Sequence, residues 1–238
     1  MNSLLEHIYT VGRVEDSQGN LIDPFPTATP LKIGLFLKET INKYSLKNTL
    51  EIGMAYGLSS LFICQAHQDA GSGYHTAIDP KQSQKWQSIG LLNIKRAGLE
   101  NKLRFFEERS DKVLPQLFIQ GEKIDFAFID GNHLFDYTLV DFFYIDHLLS
   151  VGGYIAFDDI WMPSVRKVVS FVLTNRNYEL IPVKIEEQLS TQLWRISKRF
   201  MQNPFEINDL KFKMFSSNVC LVKKISEDQR KWDFHRSF

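Results

Sequence analysis

The 238-residue sequence has two cysteines, Cys64 and Cys220, with no C-x-x-C spacing. That excludes a disulfide framework and a cysteine zinc site, and it fits a reducing compartment. No apolar run approaches the ~20 residues of a membrane span, and the N-terminus lacks the charged-then-apolar pattern of a secretory leader. A cytoplasmic protein with no membrane partner is expected. Net charge is missing as well. The 28 Lys+Arg balance 28 Asp+Glu, which leaves no overall basic footprint for nucleic acid. A local excess near the end, ten Lys/Arg against five Asp/Glu over 195–238, reads as a solvated helix and tail. Trp232, Phe234 and Phe238 in that tail read as packing onto the domain or a partner rather than as a grip on bases. Repeats, low-complexity tracts and linkers are absent too, and a hydrophobic content of 44% suffices for one sizeable core. A single domain over 1–238 is expected.

What is present is alternation. Residues 31–44 have a helical apolar period. Helix is then predicted over 58–66, 84–97, 111–119 and 135–149, and strand over 74–78, 103–106, 124–129 and 153–157. Strand-like runs at 178–183 and 219–223 follow, with a stretch over 185–217 read as an insertion on the cleft side. Residues 1–30, interrupted by prolines, read as an irregular lead-in. The fold class is α/β: a doubly wound, mostly parallel, seven-stranded Rossmann-like sheet with an antiparallel last strand.

Residues 48–60 read N-T-L-E-I-G-M-A-Y-G-L-S-S. This is strand, tight turn and helix, the place where an open α/β sheet offers backbone N–H groups to a ligand. A dinucleotide fingerprint would be G-x-G-x-x-G. Here the spacing is E-x-G-x-x-x-G, with no third glycine for a pyrophosphate. The bland alternative is a β–α turn with glycines for sterics alone. In this form the stretch resembles the first motif of the class I S-adenosylmethionine-dependent methyltransferases. The resemblance implies that Glu51 lies near the ligand, that Gly53 and Gly57 give the loop room, and that Ser59 caps the ligand's carboxylate end.

Asp79 ends the second sheet strand, where a carboxylate can accept both ribose hydroxyl protons; Asp79-Pro80 is equally a helix start. Asp130 ends the next-but-one strand in F-I-D-G-N-H, and Asp158-Asp159 end the following one in I-A-F-D-D-I. Neighbouring parallel strands bring those ends into one crevice. Carboxylates crowded together raise one another's pKa unless a cation neutralises them, and oxygen ligands suit Mg²⁺ or, in its place, Mn²⁺. Asp158 and Asp159 can share a site only if the chain turns there. The alternative is one ligand Asp, with the others capping helices.

These residues resemble the metal-dependent, catechol-like O-methyltransferases over about 29–160. The lead-in T-P-L-K-I-G and the run S-D-K-V-L-P-Q-L belong to the resemblance. It implies that Thr29 touches the methionine part of the cofactor, that Ser110 and Asp111 hold the adenine, and that Asp130, Asp158 and Asp159 hold the metal. It departs in two places. The second member of the acidic pair is often Asn and here is Asp159, and the catalytic lysine is replaced by Gly131-Asn132-His133. His133 is therefore the candidate base beside Asp130, with an ordinary pKa of about 6.5. The expected activity is methyl transfer from S-adenosylmethionine to a small-molecule oxygen. The rivals are a metal-independent methyltransferase and a non-catalytic cofactor-binding module. Members of that family often pair as homodimers; the sequence leaves the assembly open.

Overall fold

The computed structural model describes residues 2–25, 27–183, 185, 189–202 and 217–238. It begins with helix α1 (Ser3–Val11) and a hairpin of β1 (Val14–Glu15) and β2 (Leu21–Ile22), so the expectation of an irregular lead-in is corrected. The helix has a start and a stop signal. Asn2 accepts the Leu4 N–H at 2.9 Å, and Gly12, at φ +70°, returns its N–H to the Ile8 carbonyl at 2.8 Å. Leu5 and Ile8 are buried between these caps. The prolines break the chain only after this unit.

Helix α2 (Leu31–Tyr44) leads into β3 (Asn48–Ile52). The chain then alternates through α3 (Leu58–Asp69), β4 (Tyr74–Ile78), α4 (Ile89–Arg96), β5 (Leu103–Phe106), α5 (Ser110–Ile119) and β6 (Ile124–Ile129). Next come α6 (Phe135–Leu148), β7 (Leu149–Phe157), α7 (Pro163–Asn175), β8 (Tyr178–Ile181), α8 (Leu189–Gln202) and β9 (Cys220–Lys224). The sheet order is β5-β4-β3-β6-β7-β9-β8, parallel except for β9, which runs antiparallel to both neighbours. Succession reverses at β3, with β4 on one side and β6 on the other. That is the switch point where such sheets open a crevice. About half of the expected insertion, including residues 203–216, lies outside the described residues; α8 is the described part.

Alternate side chains of each central strand serve opposite layers. Leu50 and Ile52 join Ala127, Ile129, Ile155 and Phe157 beneath α5, α6 and α7. Phe126 and Phe128 face α2 and α3 with Leu37, Ile41 and Ile63. Each of those phenylalanines is fully buried and worth about 2–3 kcal/mol of transfer free energy. Helix α4 begins five residues later than its apolar period suggests, because Gly90 is pressed onto the β3–α3 turn. A Cβ on Gly90 would sit 2.7 Å from the Ala55 carbonyl oxygen. The tail lies along α7. Asn175 exchanges two hydrogen bonds with the Arg236 backbone (2.8 and 2.9 Å), and the Phe238 ring meets Phe171 edge-on at 5.2 Å. Among the described residues no helix is long and apolar enough to cross a membrane.

Candidate functional site

The turn between β3 and α3 is held on every side. Gly53 has φ +88°, and a Cβ there would overlap the Asp130 carbonyl oxygen at 2.1 Å. Gly57 has φ +79° and meets the Gly90 backbone, where a Cβ would come within 2.9 Å. Only glycine fits either position. Between them Asp79 accepts the N–H groups of Met54 (3.1 Å) and Ala55 (2.8 Å) on Oδ2, and that of Lys81 (2.8 Å) on Oδ1. The side-chain amides of Gln82 and Asn93 donate to the carbonyls of Ala55 (2.5 Å) and Tyr56 (3.0 Å). Asp79 therefore builds the loop as well as facing the space beyond it.

That space is a cavity of ≈530 Å³ at the C-terminal ends of β3, β4 and β6. Thr29, Gly53, Ser59, Asp79, Ser110, Asp111 and Asp130 line it, as do His133 and Asp159. Ser59 sits in the first turn of α3, where backbone N–H groups favour an anion. Arg109 makes two 2.8 Å bonds to Asp111 and holds its carboxyl below the usual range. Ser110 is hydrogen-bonded to buried Asp141, whose carboxyl is pushed up to about 6 by burial. Three of the expected residues, Gly57, Glu51 and Asp158, do not line the cavity. Gly57 shapes the loop from behind. Glu51 is fully buried on the far face of β3, where it accepts from Ser60 and lies 3.4 Å from His75 Nε2. The expectation that Glu51 lies beside the ligand is corrected: strand alternation turns it into the sheet–α3 layer.

Sequence reasoning missed an aromatic and basic wall. Tyr56 and Trp86 meet edge-on at 5.2 Å, Lys85 lies 4.1 Å over the Trp86 ring, and Arg109 lies 5.8 Å from the Tyr137 ring centroid. All five line the cavity. Their one sequence signal is position, in the segments that follow strand ends.

At the β6 and β7 ends, one donor atom each from Asp130, His133 and Asp159 lies within 4.8 Å of the others. Asp159 has φ +55°, the turn that lets it share a crevice with Asp130 although it directly follows Asp158. Asp158 stands outside this trio, buried, with Oδ1 accepting the Asp159 N–H at 2.8 Å. Burial, then the charges of Asp130 and Asp159, push Asp158 well above the usual carboxylate range. Burial likewise raises Asp130 to about 6. His133 Nε2 lies 2.9 Å from Asp159 Oδ2 and 3.4 Å from Asp130 Oδ1. Its ordinary imidazole value does not hold. Burial alone would lower it, but the neighbouring carboxylates of Asp130 and Asp159 outweigh burial and raise it to about 10. In this arrangement His133 carries a proton at neutral pH. Crowded carboxylates balanced by one imidazolium fit a site for a divalent cation, which would take over the neutralising charge.

Residues 50–160 match a protein family described as a methyltransferase domain. The chain resembles the class I S-adenosylmethionine-dependent methyltransferases, in particular the catechol-like O-methyltransferases. The tapetum-specific methyltransferase 1 of Arabidopsis thaliana is 35% identical over 149 residues, 60% of this chain and 58% of that protein. A caffeoyl-CoA O-methyltransferase of Populus kitakamiensis is 30% identical over 150 residues, 60% of this chain and 59% of that one. The chain thus spans somewhat under two thirds of the length of the curated relatives it matches. Among solved structures, an O-methyltransferase from Bacillus cereus in complex with SAH superposes with a TM-score of 0.60 at 19% identity, covering 76% of this chain and 83% of that one. An SAH-bound Podospora anserina methyltransferase superposes at 0.64 with 14% identity, covering 94% and 88%. At these identities the methyltransferase-like structures establish a common fold.

Proposed function

We propose that the protein is an S-adenosylmethionine-dependent O-methyltransferase that methylates a hydroxyl of a small molecule with the help of a divalent cation, Mg²⁺ or Mn²⁺. One observation carries the proposal: the glycine loop and the Asp130–His133–Asp159 trio open into the same cavity, so a nucleoside cofactor and an acceptor can meet there. The names of the relatives and the solved methyltransferases with bound SAH support it.

When bound, the cofactor supplies an activated methyl group, and the cation lowers the pKa of an acceptor hydroxyl. The chain's own residues do the rest. Gly53 admits the nucleoside to the backbone, and Asp79 offers its carboxylate to the ribose. Ser110 and Asp111 flank the adenine, while Thr29, Ser59 and the α3 N-terminus receive the methionine part. Asp130 and Asp159 would hold the cation, with Asp158 behind them. His133 holds its proton at Nε2 only while both carboxylates are paired to it. With those carboxylates engaged by a cation, the His133 Nε2 lone pair would be free to accept the hydroxyl proton, as the sequence suggests, or to join the ligands. Tyr56, Trp86 and Tyr137 give the cavity its water-poor wall, where most of the acceleration comes from positioning.

The test is methyl transfer from labelled S-adenosylmethionine to vicinal diols, phenols and sugars, with and without a strong chelator. Transfer that stops with chelator and returns with added Mg²⁺ or Mn²⁺ is expected. Transfer indifferent to chelator points to the metal-independent rival, and tight cofactor binding with no transfer to any acceptor points to a binding module.

A further inference from the structure

His133 stands where a base is expected, but its surroundings are those of a ligand. The stretch that carries it is fixed from two helices. Ser164 of α7 donates to the His133 carbonyl at 2.5 Å, and Thr138 of α6 donates to the Asn132 carbonyl at 3.0 Å. Asp159 is fixed just as firmly. Its Oδ1 accepts from Trp161 Nε1 at 2.8 Å and from Asn218 Nδ2 at 3.0 Å. Asn218 also accepts the Trp161 N–H at 3.2 Å on its side chain and the Ile160 N–H at 3.0 Å on its carbonyl, so the whole turn is clamped from the lead-in to β9. With Oδ1 engaged, Oδ2 is the oxygen Asp159 presents, and it is the one 2.9 Å from His133 Nε2.

The distances carry a second message. Two donors bound to one ion at about 2.1 Å lie about 3.0 Å apart at a right angle and about 3.4 Å apart at the tetrahedral angle. Nε2 lies 2.9 Å from Asp159 Oδ2 and 3.4 Å from Asp130 Oδ1, spacings that two donors sharing one ion would also adopt. Asp158 has an oxygen engaged by backbone and stands outside the trio. The gathered donors are thus two oxygens and one nitrogen, not the three oxygens that suit Mg²⁺. An imidazole nitrogen shifts preference towards the borderline transition ions, in the order Mn²⁺ < Fe²⁺ < Co²⁺, with Zn²⁺ also favoured.

We propose that His133 Nε2 is a ligand, with Asp130 and Asp159, in a mixed nitrogen–oxygen site that takes a divalent transition ion such as Co²⁺, Fe²⁺ or Zn²⁺ in preference to Mg²⁺. This rests on the reading of the trio as the cation site of the proposed methyltransferase. It leaves the acceptor's proton to be shed to solvent once the ion has made it acidic, not to be taken by His133.

The probe is the metal alone. Chelator-treated full chain is titrated with Co²⁺, followed by its visible absorption and by competition with Mg²⁺. A Mn²⁺-loaded sample is examined by electron spin echo for modulation from ¹⁴N. S-adenosylmethionine binding, followed by calorimetry, reports whether each variant is folded. The wild type is expected to take Co²⁺ about 100-fold more tightly than Mg²⁺ and to show the nitrogen modulation. His133→Ala is expected to lose about 10- to 100-fold in Co²⁺ affinity and the modulation, with Mg²⁺ affinity within about twofold and cofactor binding intact. His133→Gln, which offers an amide oxygen, is expected to restore shape but not the nitrogen signal. Equal Co²⁺ affinity in wild type and His133→Ala, or no modulation in the wild type, overturns the ligand role while leaving the cation site standing. Cofactor binding with no affinity for any divalent ion sinks the cation reading itself and the inference with it.

Discussion

The two ends of the cavity are built on opposite principles. At the glycine loop, backbone groups of residues 54–56 meet Asp79, Gln82 and Asn93, so that end is complete as it stands. At the acidic end Asp130 and Asp158 are both pushed above the carboxylate range, and one imidazolium offsets them. The first end is made of sterics and backbone hydrogen bonds, which need no ligand. The second holds like charges together in a partly buried crevice, an arrangement that gains from an incoming positive ion. The difference is between a cradle that is preformed and a clasp that is waiting for its counter-charge.

The comparison breaks most violently at Gly53. Gly53→Ala forces a Cβ into the Asp130 carbonyl at positive φ, and a loss of about 3 kcal/mol in chemical denaturation is expected, with cofactor binding abolished in calorimetry. Asp159→Ala should do the reverse: cofactor affinity within about threefold, but divalent-ion affinity and methyl transfer down about 100-fold. An ion should raise the Tm of the wild type and not of that variant. Asp79→Asn belongs to the cradle and weakens three backbone hydrogen bonds, so a cost of about 1–3 kcal/mol is expected, with cofactor affinity down about tenfold or more. It should leave metal titrations unchanged.

A smaller effect comes from the polar layer behind the cradle, where Thr49 Oγ1 joins His67 Nε2 (2.8 Å) and His75 Nδ1 (2.9 Å). Burial, with help from His75, lowers His67 to about 4. The unfolded chain, near 6.5, then binds more protons between pH 6.5 and 4. Stability present above pH 6.5 is therefore lost as pH falls through that window, by at most about 3 kcal/mol. Denaturation midpoints of wild type and His67→Gln across this window should converge at low pH. Least affected is Trp232→Ala, in a side chain 98% exposed, with an expected change within about 0.5 kcal/mol in the same measurement.

The cradle was legible because glycine spacing is a steric statement, and sterics are local. Strands β4, β5 and β6 and helix α2 fall at their expected residues because period and punctuation agree there. Helix α1 was not legible in the proline-interrupted composition of residues 1–30, because its signals are single caps, Asn2 and Gly12, around a nine-residue helix. The late start of α4 follows from a contact between Gly90 and Ala55, 35 positions apart, and no local pattern carries that. The clasp was legible in part. Strand order brings Asp130 and the 158–159 pair to one crevice. Which carboxylate joins the trio depends on one backbone angle at Asp159, and the charge state of His133 depends on acids from two strands.

Cradle and clasp also share a piece of main chain. The Asp130 carbonyl occupies the place where any side chain at position 53 would begin, and the Asp130 N–H is bonded to the Ile52 carbonyl at 3.0 Å. The two strand ends thus meet directly, and any coupling between nucleoside and ion has this contact to act through. Thermodynamic reciprocity then sets the terms: by whatever factor the nucleoside alters the ion's affinity, the ion alters the nucleoside's by the same factor.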